Sequence, residues 1–329
     1  MSYKHLTEHE RYHMDELLRN GATQLEIANE LKRSPSTISR ELRRNQGQRG
    51  WRPRQAYMKA CERLSIRGEN NAPRVNEDAW HYAIERLEND QWSPEQIAGR
   101  LKLEGLSTIS HESIYQRIVS DKMEGGTLYK HLRCQKKRKK RYGSKAAGRE
   151  CIPDRIDISE RPEVVDRKER VGDWEGDTVI GSHNGGAVVA TVVERKSRYS
   201  IFAKSEDKTT QSVINAIIDG MDPLSELIET MTFDNGKEFS GHSNLTTSLG
   251  TSVYFAKPYH SWERGLNENA NGLLRQYFPK KTSFDEVDEH DLRAVQDKLN
   301  HRPRKCLGYK TPFEVFKKLA EDKGIALRI

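Results

Sequence analysis

Three acids far apart in the chain, Asp177, Asp234 and Glu268, sit where metal ligands would sit. Asp177 lies within a strand-like run, Trp174 to Ile180. Asp234 ends another, Ile228 to Phe233, and is followed by Asn-Gly. Glu268 opens a helical stretch from about Asn267. Breaking or transferring a phosphodiester needs an activated oxygen nucleophile and a stabilised leaving 3′ oxygen. Two hard divalent ions about 3.5–4 Å apart supply both. Mg²⁺ takes oxygen ligands and keeps several waters, so a few carboxylates suffice. Packed together without a cation, the acids would repel; this chemistry therefore requires the three side chains to converge on shared ions. Arg275, seven residues after Glu268 and two helical turns along the same face, is placed to hold a phosphate. Among nearby acids, Glu175 is expected on the opposite sheet face, Asp173 lies near the strand's start, and Glu263 falls in a loop.

The elements around these acids read as strands and helices in a definite order. Ala187 to Val193 and Tyr199 to Ala203 follow the first strand through turn-like segments, which predicts hairpins. Thr209 to Met221 places Val213, Ile214, Ala216, Ile217 and Ile218 at the spacing of a buried helix. Ser252 to Ala256 supplies a fifth strand. Three hairpin-linked strands, a helix, a strand and further helices match the order of a ribonuclease H-like α/β domain. In that layout the acids fall within the first strand, at the end of the fourth, and on a later helix.

The front half reads as two helix-turn-helix units. In the first, residues 7–45, Thr23 and Glu26 match a capping box, and Leu25, Ala28 and Leu31 follow at helical spacing. Ser34-Pro35 supply an N-cap and a first-turn proline. Ile38 and Leu42 turn inward, leaving Ser36, Thr37, Ser39, Arg40, Arg43 and Arg44 for DNA in the manner of a recognition helix. The second unit repeats the plan: Ser93-Pro94-Glu95-Gln96 caps a helix carrying Ile97 and Leu101, and Gly105 turns the chain. A helix from Ser110 to Ile118 then offers His111, Tyr115 and Arg117. A basic run follows, Lys136, Lys137, Arg138, Lys139, Lys140 and Arg141, suited to gripping phosphates.

Charge follows the same division. Residues 1–150 hold 30 Lys/Arg against 20 Asp/Glu, and residues 151–329 hold 26 against 29, so the basic half points to a polyanion partner. No apolar run approaches the roughly 20 residues that cross a bilayer, and the charged start lacks a signal-peptide core; a cytoplasmic, nucleoid-associated protein is expected. Cys61, Cys134, Cys151 and Cys306 lie too far apart for a zinc or disulfide pattern.

The chain resembles the DDE transposases of bacterial insertion-sequence family thirty. The resemblance rests on residues 172–181 (GDWEGDTVIG), 232–239 (TFDNGKEF) and 258–279 (PYHSWERGLNENANGLLRQYFP). Residues 300–304 (NHRPR) and 308–316 (GYKTPFEVF) resemble the family's C-terminal signature. The 33 residues between Asp234 and Glu268 are its usual interval. The likeness implies a multidomain protein: a helix-turn-helix domain at 1–50, a second helical DNA-binding region at 51–130 and a basic linker at 131–160. An integrase-type catalytic domain at 161–329 would follow. It further implies that Asp177, Asp234 and Glu268 hold two Mg²⁺ or Mn²⁺ ions and that the enzyme nicks terminal inverted repeats. The freed 3′ hydroxyl would then join target DNA. Bringing two ends together implies a homodimer or higher oligomer on double-stranded DNA. Two other readings remain open at this point: a catalytically silent DNA-binding regulator and a ribonuclease H-type nuclease.

Overall fold

The computed structural model describes residues 5–71, 77–106, 109–133, 152–182, 186–257, 260 and 265–327. It divides into two compact units, Met1–Arg74 and Val75–Ile329.

In the first unit, α1 (Glu8–Arg19), α2 (Gln24–Glu30), α3 (Pro35–Arg44) and α4 (Pro53–Asn71) follow one another. Thr7 and Thr23 open α1 and α2 with complete capping boxes, through Glu10 and Glu26. Ser34 is extended and Pro35 sits at the first helical position, but the Ser34 hydroxyl pairs with that of Ser36 (2.6 Å) and caps no backbone N–H. Met14, Ile27, Ala28 and Ile38 are fully buried, with Leu31 and Leu42 packed against them. Leu25 stays 60% exposed. At about 100° per residue it lies roughly 110° round α2 from the Ile27–Ala28 arc, outside the buried stripe. A buried ion pair, Arg11 Nε to Glu41 Oε1 at 2.7 Å, ties α1 to α3. Helix α4, assigned from sequence to the region beginning at 51, packs on α1 within this unit.

The second unit begins with α5 (Glu77–Asn89), α6 (Pro94–Leu103) and α7 (His111–Met123) around Leu87, Ile97, Leu101, Ile114 and Ile118. The capping box of Ser93 and Gln96 and the left-handed turn at Gly105 (φ +69°) stand as the residue types dictate. After α8 (Glu163–Arg167) comes a five-stranded sheet: β1 (Asp173–Ile180), β2 (Val188–Glu194), β3 (Ser200–Ser205), then α9 (Thr210–Met221), β4 (Thr230–Phe233), α10 (His242–Leu249) and β5 (Ser252–Phe255). Helices α11 (Gly265–Tyr277), α12 (Glu289–Asn300) and α13 (Pro312–Asp322) complete the unit.

Sheet order is β3-β2-β1-β4-β5, with β1–β2 and β2–β3 antiparallel and β1–β4 and β4–β5 parallel. Side chains alternate across it. One face buries Trp174, Val192, Met231 and Phe233 with α9, and the other buries Val179, Val189 and Phe202 with Leu273, Leu274 and Leu299 of α11 and α12. Asn300 closes the β3 edge: its amide accepts from Ser200 N–H and donates to Ser200 C=O, both at 2.8 Å, as a neighbouring strand would. The end of the expected linker is folded here, with Ile152 buried and Asp157 bridged to Phe255.

Candidate active site

The parallel pairing of β1 with β4 sets Glu175 opposite Thr232. Asp177 and Asp234 each lie two residues beyond that pair, level with one another at the same end of adjacent strands, which run about 4.8 Å apart. Both are half-buried. Glycine makes this approach possible: a Cβ at Gly176 would stand 2.1 Å from the Phe233 ring.

Each acid is held by its neighbours. Asp177 Oδ1 accepts from Thr178 N–H at 2.9 Å, and Oδ2 accepts from the Asn271 side chain at 2.8 Å. Asn271 is oriented in turn by the Thr191 hydroxyl, which donates to its Oδ1 at 2.7 Å. Asp234 Oδ1 accepts from Gly236 N–H at 2.9 Å. Asn235 donates to Ala256 C=O at 2.7 Å, fixing the Asp-Asn-Gly turn against the end of β5. Asn271 thus brings α11 against β1 at the height of Asp177, and Glu268 lies one helical turn earlier, exposed, on the first turn of α11.

Convergence is therefore partial. Asp177 and Asp234 stand level and α11 crosses beside them. Among the described residues, however, no three His, Cys, Asp or Glu side chains come close enough to hold a metal ion. The donor set still suits a hard divalent cation, since every candidate ligand is a carboxylate oxygen.

The remaining acids on β1 are accounted for by folding. Glu175 is not on the opposite face: residues two apart on a strand share one, so Asp173, Glu175 and Asp177 all face the same side. What separates them is their partners. Asp173 is fully buried against Arg170 Nη2 (2.9 Å) and the Thr230 hydroxyl (2.8 Å). Glu175, 1% exposed, pairs with Arg195. Sequence reasoning missed Glu238, which is buried beside the site. It accepts from the Thr178 hydroxyl at 2.8 Å and stands 3.4 Å from Lys208 Nζ. A Cβ on Gly236 would lie 2.7 Å from its Oε2 and 2.8 Å from Asp234 Oδ1, so any larger residue there would displace one of the two carboxylates. The signal available was the acid four residues after Asp234 in DNGKE.

Arg275 donates to the carbonyl oxygens of Ile180, Phe278 and Pro279 and lies over the Phe284 ring at 5.6 Å. In this arrangement its guanidinium ties the end of α11 to the end of β1. On α3, Ser36, Ser39, Arg40, Arg43 and Arg44 are exposed and Thr37 is half-buried. Arg40 is braced by Ser36, donating to its hydroxyl at 2.9 Å. His111, Tyr115 and Arg117 are exposed on α7. Lys136, Lys137, Arg138, Lys139, Lys140, Arg141 and Glu263 lie outside the described residues.

Residues 2–45 match the helix-turn-helix domain family and residues 168–261 the integrase core domain. The chain is 42% identical over 326 residues to the transposase for insertion sequence element IS4351 of Bacteroides fragilis, covering 98% of each chain. It is 39% identical over 314 residues to the transposase InsI for insertion sequence element IS30A of Escherichia coli (strain K12), covering 92% of this chain and 79% of that one. Among solved structures, the catalytic core domain of BIV integrase aligns with 47% of this chain and 99% of its own, at 22% identity and a TM-score of 0.37. An N-terminal helix-turn-helix domain, an integrase core and this degree of identity along nearly the whole length place the chain in the IS30 family of insertion-sequence transposases.

Proposed function

We propose that the chain binds the terminal inverted repeats of its own element, nicks them to free 3′ hydroxyls and transfers those ends into target DNA. Asp177, Asp234 and Glu268 are the residues that would hold two Mg²⁺ or Mn²⁺ ions. The observation that carries this reading is the level placement of Asp177 and Asp234 on adjacent parallel strands, with α11 joined to Asp177 through Asn271. When bound, the ions supply Lewis acidity to the attacking and leaving oxygens.

The protein's own groups have definite tasks in this scheme. Asn271 and Thr191 orient Asp177, as hydrogen-bonded partners of a metal ligand commonly do. Gly236 N–H orients Asp234. Because no closed three-ligand group exists among the described residues, sharing an ion requires the carboxylates to stand closer than they do here. Binding of double-stranded DNA is assigned to Ser36, Thr37, Ser39, Arg40, Arg43 and Arg44 of α3, supported by the match to a helix-turn-helix domain. His111, Tyr115 and Arg117 of α7 would add a second contact with ends or target. Lys136 to Arg141 would add phosphate contacts, and Arg275 would take a phosphate only by exchanging its carbonyl partners for it. Joining two ends calls for a homodimer or higher oligomer on the DNA. No described helix is long and apolar enough to cross a membrane, and the protein is assigned to the cytoplasm, on the nucleoid.

That no three-ligand group closes among the described residues favours one competing reading, a DNA-binding regulator without catalysis. One experiment separates the two: incubate the purified protein with DNA carrying the flanks of its own gene, with Mn²⁺ or with EDTA. Mn²⁺-dependent nicks at the repeat ends, followed by joined products, support the transposase. Footprints without nicks support the regulator. Cleavage indifferent to the repeats would point to a ribonuclease H-type nuclease.

A further inference from the structure

Three arginines behind α11 are held differently from the buried arginines that face carboxylates. The buried Arg11, Arg161 and Arg195 each face a carboxylate, Glu41, Asp166 and Glu175 in turn; Arg302 is equally buried, while Arg198 and Arg304 are half-buried. Arg198, Arg302 and Arg304 have no such partner among the described residues. Arg302, 2% exposed, donates only to the neutral oxygens of Gln276, Tyr277 and the Asp90 backbone. Arg304 donates to Leu299 C=O at 3.0 Å. Buried without any hydrogen-bond partner are Nε and Nη1 of Arg198 and Nε of both Arg302 and Arg304. Burial, and then Arg302, pushes Arg304 down to about 10. Uncompensated buried charge is costly, and buried N–H groups are normally paired.

These side chains line two adjoining cavities. One, of about 540 Å³, is lined by Arg133, Arg302, Arg304, Asn269 and the start of α6. The other, of about 200 Å³, is lined by Arg198, Arg304, Asn269 and Leu273. Glu95, the acid on the larger cavity, is already paired with Lys305 at 2.6 Å. The excess is therefore cationic. We infer that a phosphate group binds where the two cavities meet, at Arg304, which lines both, with Arg302 on the larger and Arg198 on the smaller; guanidinium forks match phosphate oxygens. Asn269, on both cavities, directly follows Glu268, so a phosphate seated there touches the helix that carries the third acid. Backbone phosphate of DNA lying along the catalytic unit is the natural source. A free phosphate anion has the same chemistry.

The inference rests on the DNA reading only for that source. Its test uses the full chain in EDTA, so failure of the carboxylate chemistry leaves the result unaffected. Arg198→Gln and Arg304→Gln are compared with the parent protein, Arg302 being left intact because it joins α11 to residue 90. Binding of a duplex lacking the inverted repeats is followed by fluorescence anisotropy across salt concentrations, and melting is followed with and without inorganic phosphate. Each variant is expected to melt no lower than the parent and to bind DNA about five- to tenfold more weakly. Its slope of log K against log salt should be shallower by about one. A phosphate-induced rise in Tm that the variants lose, with DNA slopes unchanged, supports the site with a free anion as its occupant. Variants that melt lower than the parent yet bind DNA and phosphate as it does make these arginines structural and overturn the proposal. Should Arg304→Gln not fold, Arg198→Gln alone decides between these outcomes.

Discussion

The two ends of β1 carry the same residue type on the same face and use it in opposite ways. At the entering end, Asp173 and Glu175 are buried and each is matched by an arginine, Arg170 or Arg195. At the leaving end, Asp177 is half-buried and accepts from Thr178 N–H and Asn271. Asp234, just past β4, is likewise half-buried and accepts from Gly236 N–H. A buried carboxylate matched by an arginine has its charge balanced and serves the fold. Asp177 and Asp234, half-buried and oriented by N–H donors, are the acids assigned to the cation. The partner, more than the residue, separates structure from chemistry.

The largest effect that tests this contrast lies at the leaving end. Asp177→Asn, Asp234→Asn and Glu268→Gln should each lower Mn²⁺-dependent nicking by roughly four orders of magnitude, since metal ligands supply several kcal/mol to such a reaction. Their melting temperatures in EDTA should not fall, because mutual repulsion is relieved. Nicking and strand transfer on end-bearing duplexes measure the first expectation, and calorimetry the second. An Asp234→Asn protein that nicks at the parental rate would remove the proposed active site.

At the entering end the outcome reverses. Glu175→Ala removes the near carboxylate of buried Arg195 and leaves only Asp166 at 3.9 Å, a change that costs about 3 kcal/mol. Urea unfolding should show that loss directly. Wherever the variant remains folded, Mn²⁺-dependent nicking should persist. A stable but inactive Glu175→Ala protein would erase the distinction between the two ends.

Two smaller effects sharpen the comparison. Asn271→Ala should weaken metal-dependent activity about 10- to 100-fold by releasing Asp177. Leu274 stays buried on the same helix, so stability should be nearly kept. Mn²⁺ at a hundred times its dissociation constant should stabilise the parent by about 2.7 kcal/mol. Asp234→Asn should lose most of that gain. Stabilisation of equal size in both proteins would place the ion elsewhere.

Much of this was legible in local sequence. Capping pairs Thr23–Glu26 and Ser93–Gln96, the first-turn prolines and the apolar spacing of α9 act within a few residues, and they hold in the fold. The strands were legible because their runs are bounded by turn residues. Glu175 was misplaced by arithmetic alone, because a period of two puts it with Asp177. Leu25 was misjudged because a seven-residue helix buries a narrow arc. Other features could not be read locally. Asn271 reaches Asp177 across 94 positions, Thr178 reaches Glu238 across 60, and Arg195 reaches Glu175 across 20. Whether an acid is matched depends on such packing, which spacing along the chain does not encode.

The smallest expected effect concerns a carboxylate between the two extremes. Glu314 accepts from Arg100 at 2.7 and 2.8 Å and from Thr311 N–H at 2.8 Å, with its side chain 40% exposed. The hydrogen bond from Arg100 holds it below the usual carboxylate range. A depressed folded value adds stability that is present above the unfolded pKa, about 4.3, and is lost as pH falls through the folded one. Exposure limits the contribution to at most about 1 kcal/mol. Parent and Glu314→Gln should therefore differ by that much near pH 7 and converge below about pH 4.3 in unfolding measured across pH. A gap that stays constant from pH 7 to pH 3 would mean that Arg100 secures α13 by shape and hydrogen bonding alone. Glu314 would then fall outside the matched class represented by Glu175.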